Sequence, residues 1–121
     1  MIRTEGLTHL HLVVADLDRA LRFYTEAFGM EEQFRDGPNM VFLRTPGAAD
    51  SITLNEQPDD ARAGRGGGVD HVGFRRADGQ DLDDAIRQVE AAGGRLVRRG
   101  EHAPGVEFAY VADPDGYLIE L

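Results

Sequence analysis

Thr8-His9-Leu10-His11-Leu12-Val13-Val14-Ala15-Asp16 returns 62 residues later as Asp70-His71-Val72-Gly73-Phe74-Arg75-Arg76-Ala77-Asp78, and in each copy a histidine stands seven residues ahead of an aspartate. Past that aspartate, Leu17-Asp18-Arg19-Ala20-Leu21 is matched by Leu82-Asp83-Asp84-Ala85-Ile86, the second copy carrying three extra residues. One unit is therefore used twice. In each half the repeat leads into apolar positions at helical spacing: Leu17, Leu21, Tyr24 and Phe28 in the first, Leu82, Ile86 and Val89 in the second. An acidic first turn (Asp16 and Asp18; Asp81 and Asp83) and a following glycine (Gly29; Gly93-Gly94) mark the helix ends.

Three short apolar runs follow each helix, around Glu31 to Arg35, Met40 to Arg44 and Ser51 to Asn55, then Leu96 to Arg99, Val106 to Val111 and Tyr117 to Leu121. Turn residues separate them at Asp36-Gly37-Pro38, Pro46-Gly47, Pro104-Gly105 and Asp113-Pro114-Asp115-Gly116. The expected fold class is α+β, two paired βαβββ modules within one domain spanning 1–121. Module one covers 5–57 and module two 69–121. Between them, the polar, glycine-rich stretch 58–68 reads as a mobile linker, which permits the modules to pair within a chain or to swap between two chains.

With 121 residues the chain has room for one core. Hydrophobic residues make up 41% and charged residues 29%, and no apolar run approaches the roughly 18 residues of a membrane helix. No secretory signal is visible, so the cytoplasm is the expected location. The absence of cysteine excludes disulfides, thiolate zinc sites and cysteine nucleophiles, so any metal must sit on His and carboxylate. A net charge of -9, with scattered arginines and no lysine, argues against nucleic acid and anionic membranes as partners and leaves a small molecule.

Strand alternation sorts the polar residues by face. His9, His11 and Val13 share one face and Leu10, Leu12 and Val14 the other. His71 shares its face with Gly73, Thr53 alternates with Ile52 and Leu54, and Glu120 with Ile119 and Leu121. If the apolar sides pack under the helices, His9, His71, Thr53 and Glu120 look into the opposite, concave face. Any one of these alone reads as a solvated strand residue. Together, with the two histidines at equivalent places in a duplicated unit, His9, His71 and Glu120 read as donors for Fe(II), Mn(II), Ni(II) or Zn(II).

Over nearly its whole length the chain resembles the vicinal oxygen chelate superfamily, which includes glyoxalase I, extradiol dioxygenases, fosfomycin-modifying enzymes and bleomycin-binding proteins. The residues that carry the resemblance are 9–17, Phe23-Tyr24 with Phe28-Gly29-Met30, and Asp113-Pro114-Asp115-Gly116-Tyr117-Leu118-Ile119-Glu120-Leu121. It implies a cup-shaped mixed sheet around a metal that chelates two substrate oxygens, with His9, His71 and Glu120 at the ligand positions. It also implies a homodimer, because members of one-pair length commonly build the site from both chains.

Within that superfamily, glyoxalase I adds a fourth ligand, usually Glu, where this chain has Thr53. The run Glu101-His102, Ala109-Tyr110, Asp113-Pro114-Asp115-Gly116, Glu120 is similar to the extradiol signature, in which His102 contacts substrate or oxygen and Tyr110 a substrate oxygen. The usual acid/base histidine of module one is missing, and His11 is the candidate to replace it. The expectation is a metal-dependent enzyme, most like an extradiol dioxygenase using Fe(II). The alternatives are a glyoxalase-like lyase or isomerase, for which Glu56 has to supply a carboxylate, and a metal-free drug- or metabolite-binding protein.

Overall fold

The chain is described by a computed structural model covering residues 1–121 except 2, 4, 6 and 68. Module one runs β1 (Leu10–Val14), α1 (Leu17–Phe28), β2 (Glu31–Arg35), β3 (Met40–Arg44) and β4 (Ile52–Glu56). Module two runs β5 (Val72–Gly73), α2 (Leu82–Ala91), β6 (Arg95–Ala103), β7 (Val106–Ala112) and β8 (Leu118–Glu120). Each module folds into a four-stranded sheet of the same order, β1-β4-β3-β2 and β5-β8-β7-β6. In both, the first strand pairs parallel to the last and the remaining pairs are antiparallel.

The helices form where the apolar spacing and the caps agree. Asp16 accepts a hydrogen bond from the Arg19 backbone N–H and Asp81 one from that of Asp84, so each helix starts on an aspartate. Gly29 ends α1 at φ 64°, a left-handed conformation that glycine adopts without strain. Leu17, Ala20, Phe23 and Tyr24 of α1 and Leu82, Ile86 and Val89 of α2 are buried, in one cluster with Leu12, Val14, Val41, Leu54, Val111 and Ile119 from the strands. The two modules thus share one core.

Two close approaches tie the modules together. A Cβ at Gly94 would lie 2.6 Å from the Phe23 ring and 2.7 Å from both the Ala112 carbonyl oxygen and a Val89 methyl, so only glycine lets α1 press against the start of β6. The turn between β7 and β8 is the second. The buried Asp113 carboxylate accepts from the Tyr24 hydroxyl at 2.9 Å and from the Asp115 and Tyr117 backbone N–H groups. Asp115 accepts from the Ala15 N–H, and the Tyr117 hydroxyl donates to the Val13 carbonyl. Burial pushes the Asp113 carboxyl up to about 6 against the pull of those hydrogen bonds, and burial followed by the Asp113 charge pushes the Tyr24 phenol up as well.

Several strand limits differ from the sequence expectation. β6 runs on to Ala103 because it stays paired with β7 up to the Pro104-Gly105 turn, with irregularities at Leu96/Arg98 and Glu101/Ala103. β4 sits one residue later than 51–55, which brings Glu56 to its end. There the Glu56 carboxylate accepts the Leu17 backbone N–H at 2.7 Å, satisfying an open donor at the start of α1. The stretch between the modules carries turns and a short 3-10 helix at Arg65–Gly67, and Gly64 is buried against the Asp115 backbone. The last glycine of Gly66-Gly67-Gly68 lies outside the described residues.

Candidate metal centre

The paired registers place Gly73 opposite Glu120, Glu120 opposite Tyr110, and Tyr110 opposite Arg98, one row across β5, β8, β7 and β6. Residues paired in this way share a sheet face. Ala109 and Val111 on β7 point the other way, into the core. The row therefore lies on the face away from the helices, where the alternation argument puts Glu120.

Glu120 is the centre of the cluster. Its Oε1 lies 2.7 Å from His102 Nε2, its Oε2 lies 3.1 Å from His71 Nε2, and the Tyr110 hydroxyl donates to Oε2 at 3.5 Å. Hydrogen bonding from His102 holds the Glu120 carboxyl below its ordinary value, with the His102 and His71 charges adding to the effect. The His71 ring stands edge-on to Tyr110, and the His102 ring stacks on Phe108 with centroids 4.3 Å apart. A cavity of about 390 Å³ is lined here by Arg75, His102, Phe108 and Glu120.

The donor chemistry fits a divalent metal. His71 Nδ1 lies 2.7 Å from Asp70 Oδ1, and that hydrogen bond lowers the Asp70 carboxyl. With Nδ1–H donating to the Asp70 carboxylate, His71 in its neutral form presents its Nε2 lone pair toward Glu120 Oε2. Two acceptors about 3 Å apart are spaced as neighbouring donors on one metal with bonds of about 2.1 Å. His9 has the matching arrangement: its Nδ1 lies 2.8 Å from the hydroxyl of Thr8, the repeat equivalent of Asp70, which leaves Nε2 free.

Of the residues singled out in sequence, the structure gathers His71, Glu120, His102 and Tyr110. His9 and His11 make no hydrogen bond or ion pair with that cluster among the described residues. His9 lines a separate cavity of about 440 Å³ with Ser51, Ile52, Val72 and Gly73, and His11 sits opposite Thr53 in the β1–β4 pairing. Thr53 is fully buried, and its Oγ1 has no hydrogen-bond partner. No three His, Asp or Glu side chains are arranged to hold a metal within one chain, among the described residues. Thr8 and Asp70 did not stand out as site residues, although each directly precedes a repeated histidine.

The glyoxalase/bleomycin resistance protein/dioxygenase superfamily model matches residues 6–121. A probable lactoylglutathione lyase of Vibrio parahaemolyticus is 33% identical, the match covering 95% of this chain and 88% of that protein. A lactoylglutathione lyase of Arabidopsis thaliana is 36% identical over 93% of this chain and 42% of its own length. A manganese-dependent 2,3-dihydroxybiphenyl 1,2-dioxygenase of Geobacillus genomosp. 3 is 27% identical over 93% of this chain and 35% of its own. Among solved structures, a fosfomycin resistance protein of Listeria monocytogenes, crystallised with Mn(II), superposes with a TM-score of 0.79 at 24% identity, over 98% of this chain and 90% of that one.

Proposed function

Because the chain belongs to the glyoxalase/bleomycin resistance protein/dioxygenase superfamily, we propose that it is a divalent-metal enzyme acting on a small molecule with two vicinal oxygens. The single observation behind this is the convergence of His71 Nε2 and Glu120 Oε2 on one point, with His102 and Tyr110 at its rim. The metal, Fe(II) first with Mn(II), Ni(II) or Zn(II) as alternatives, would be held by His71 and Glu120 of one chain and His9 of a second chain. That makes the functional unit a homodimer. A bound metal supplies Lewis acidity, stabilising negative charge that develops on the two substrate oxygens. Tyr110 orients one of those oxygens, and His102 is placed to exchange a proton with substrate. His11 is the acid/base candidate from module one.

Two reactions fit this description. Ring cleavage of a catechol draws on the His102 and Tyr110 positions. A lyase or isomerase reaction is favoured by the relatives at 33% and 36% identity, although Thr53 offers no carboxylate and Glu56 is engaged at the α1 N-terminus. One experiment separates them. Protein loaded anaerobically with Fe(II) and given catechol and oxygen yields a ring-opened product and oxygen uptake if the dioxygenase assignment is right. Protein loaded with Ni(II) or Zn(II) and given the hemithioacetal of methylglyoxal and glutathione yields the thioester if the lyase assignment is right. Silence in both, together with no uptake of metal by chelator-free protein, points instead to a metal-free binder.

A further inference from the structure

Arg98 and Arg99 are adjacent on β6 and therefore point to opposite faces. Arg99, on the helix side, is neutralised twice, by Asp83 of α2 and by Glu107. Arg98 lies on the cup side in the row with Tyr110 and Glu120, and among the described residues it has no carboxylate partner. Its guanidinium carbon sits 5.4 Å from the Phe108 ring centroid and 5.2 Å from that of Tyr110. Gly100 makes this floor possible, since a Cβ there would lie 2.9 Å from the Phe108 ring.

A guanidinium resting on two aromatic rings is held in place yet weakly hydrated, and its outward N–H groups match a carboxylate in bidentate fashion. In a chain of net charge -9, an anionic substrate needs such a local counter-charge to enter the cup. The distance is informative too. Arg98 and Glu120 are two strand spacings apart, roughly 10 Å, with the Tyr110 ring between them.

The geometry points to Arg98 as a specificity residue that takes the carboxylate of an aromatic acid, the acid's ring lying beside Tyr110 and its oxygenated end reaching Glu120. The substrate class is thus a planar ring bearing vicinal oxygens at one end and a carboxylate on a short side chain at the other. The inference rests on the cup being the substrate site, as proposed above.

The test uses metal-free protein, so that it does not depend on the metal assignment. 3-Phenylpropionate and its neutral analogue 3-phenylpropionamide are titrated by NMR into wild type, Arg98→Gln, Arg98→Lys, Arg99→Gln and Arg75→Gln. Wild type is expected to favour the acid by about fivefold or more, with the preference weakening in salt. Arg98→Gln abolishes the preference, Arg98→Lys keeps part of it, and Arg99→Gln and Arg75→Gln leave it intact. Equal binding of acid and amide to wild type, a preference that survives Arg98→Gln, or one lost instead in Arg75→Gln overturns the inference. In a separate arm, catechol is titrated with and without Mn(II). Lack of any Mn(II) effect counts against the metal proposal alone and leaves the Arg98 result standing.

Discussion

Thr53 and Asp70 show how much a single side chain can decide. Thr53 is buried with an unpartnered hydroxyl, a group whose desolvation costs about 1 kcal/mol or more. Thr53→Val should therefore raise stability by about 1 kcal/mol, read as a higher urea midpoint with unchanged slope. Metal affinity should not fall, and a fall would mean that the hydroxyl serves the metal. Asp70 fixes the His71 ring through Nδ1, so Asp70→Ala should weaken metal binding about tenfold while leaving the melting temperature of metal-free protein unchanged. At this scale sequence was informative where duplication helped it: His71 and Glu120 were legible because a repeat and a strand period converge on them. The Thr8 and Asp70 contacts were not, because they depend on which ring nitrogen faces which way. Arg98 was equally hidden, since sorting it from Arg99 requires the register of β6 on β7, and β6 carries two irregularities.

Among the elements, the β7–β8 turn and the start of β6 do the joining. Asp113 is worth more to the folded state when protonated, because its folded value near 6 lies above the ordinary value of 3.8. Its contribution is complete below about pH 4 and is lost as pH rises through about 6, by about 3 kcal/mol in all. Asp113→Asn keeps an acceptor for the two backbone N–H groups and cannot ionise. The stability of that variant minus wild type should thus rise between pH 4 and pH 7, and a flat difference would contradict the assignment. Gly94→Ala should cost about 3 kcal/mol or more, since the new methyl meets Phe23, Val89 and a backbone carbonyl at once. Thermal melts of the variant and wild type at one pH decide it. The helices themselves were legible to within a residue because caps and apolar period agree. The length of β6 was not, because Arg98-Arg99-Gly100-Glu101-His102 has no apolar alternation and is a strand only through its partner.

On the scale of the whole molecule, the repeat predicted two like modules, and two like sheets are present. What it could not tell is how the two halves of the site meet. In one chain His9 lines one cavity while Glu120 lines another. If the complete site takes His9 from one protomer and His71 with Glu120 from its partner, two dead variants should rescue each other. His9→Ala and His71→Ala each bind no metal tightly alone. Mixed, unfolded and refolded together, they should recover about a quarter of the wild-type metal content, because half the dimers are mixed and each carries one intact site. No recovery would place the site within a single chain.

The exposed strand edges carry a final implication. β1 and β5 each lie at one border of their sheet, with one side unpaired by another strand among the described residues. If the metal site is shared between two copies, as proposed above, dilution that separates them takes the site apart and bares those borders at the same moment. Abundance then acts as an on-switch, and dilution as an inhibitor that no ligand need supply.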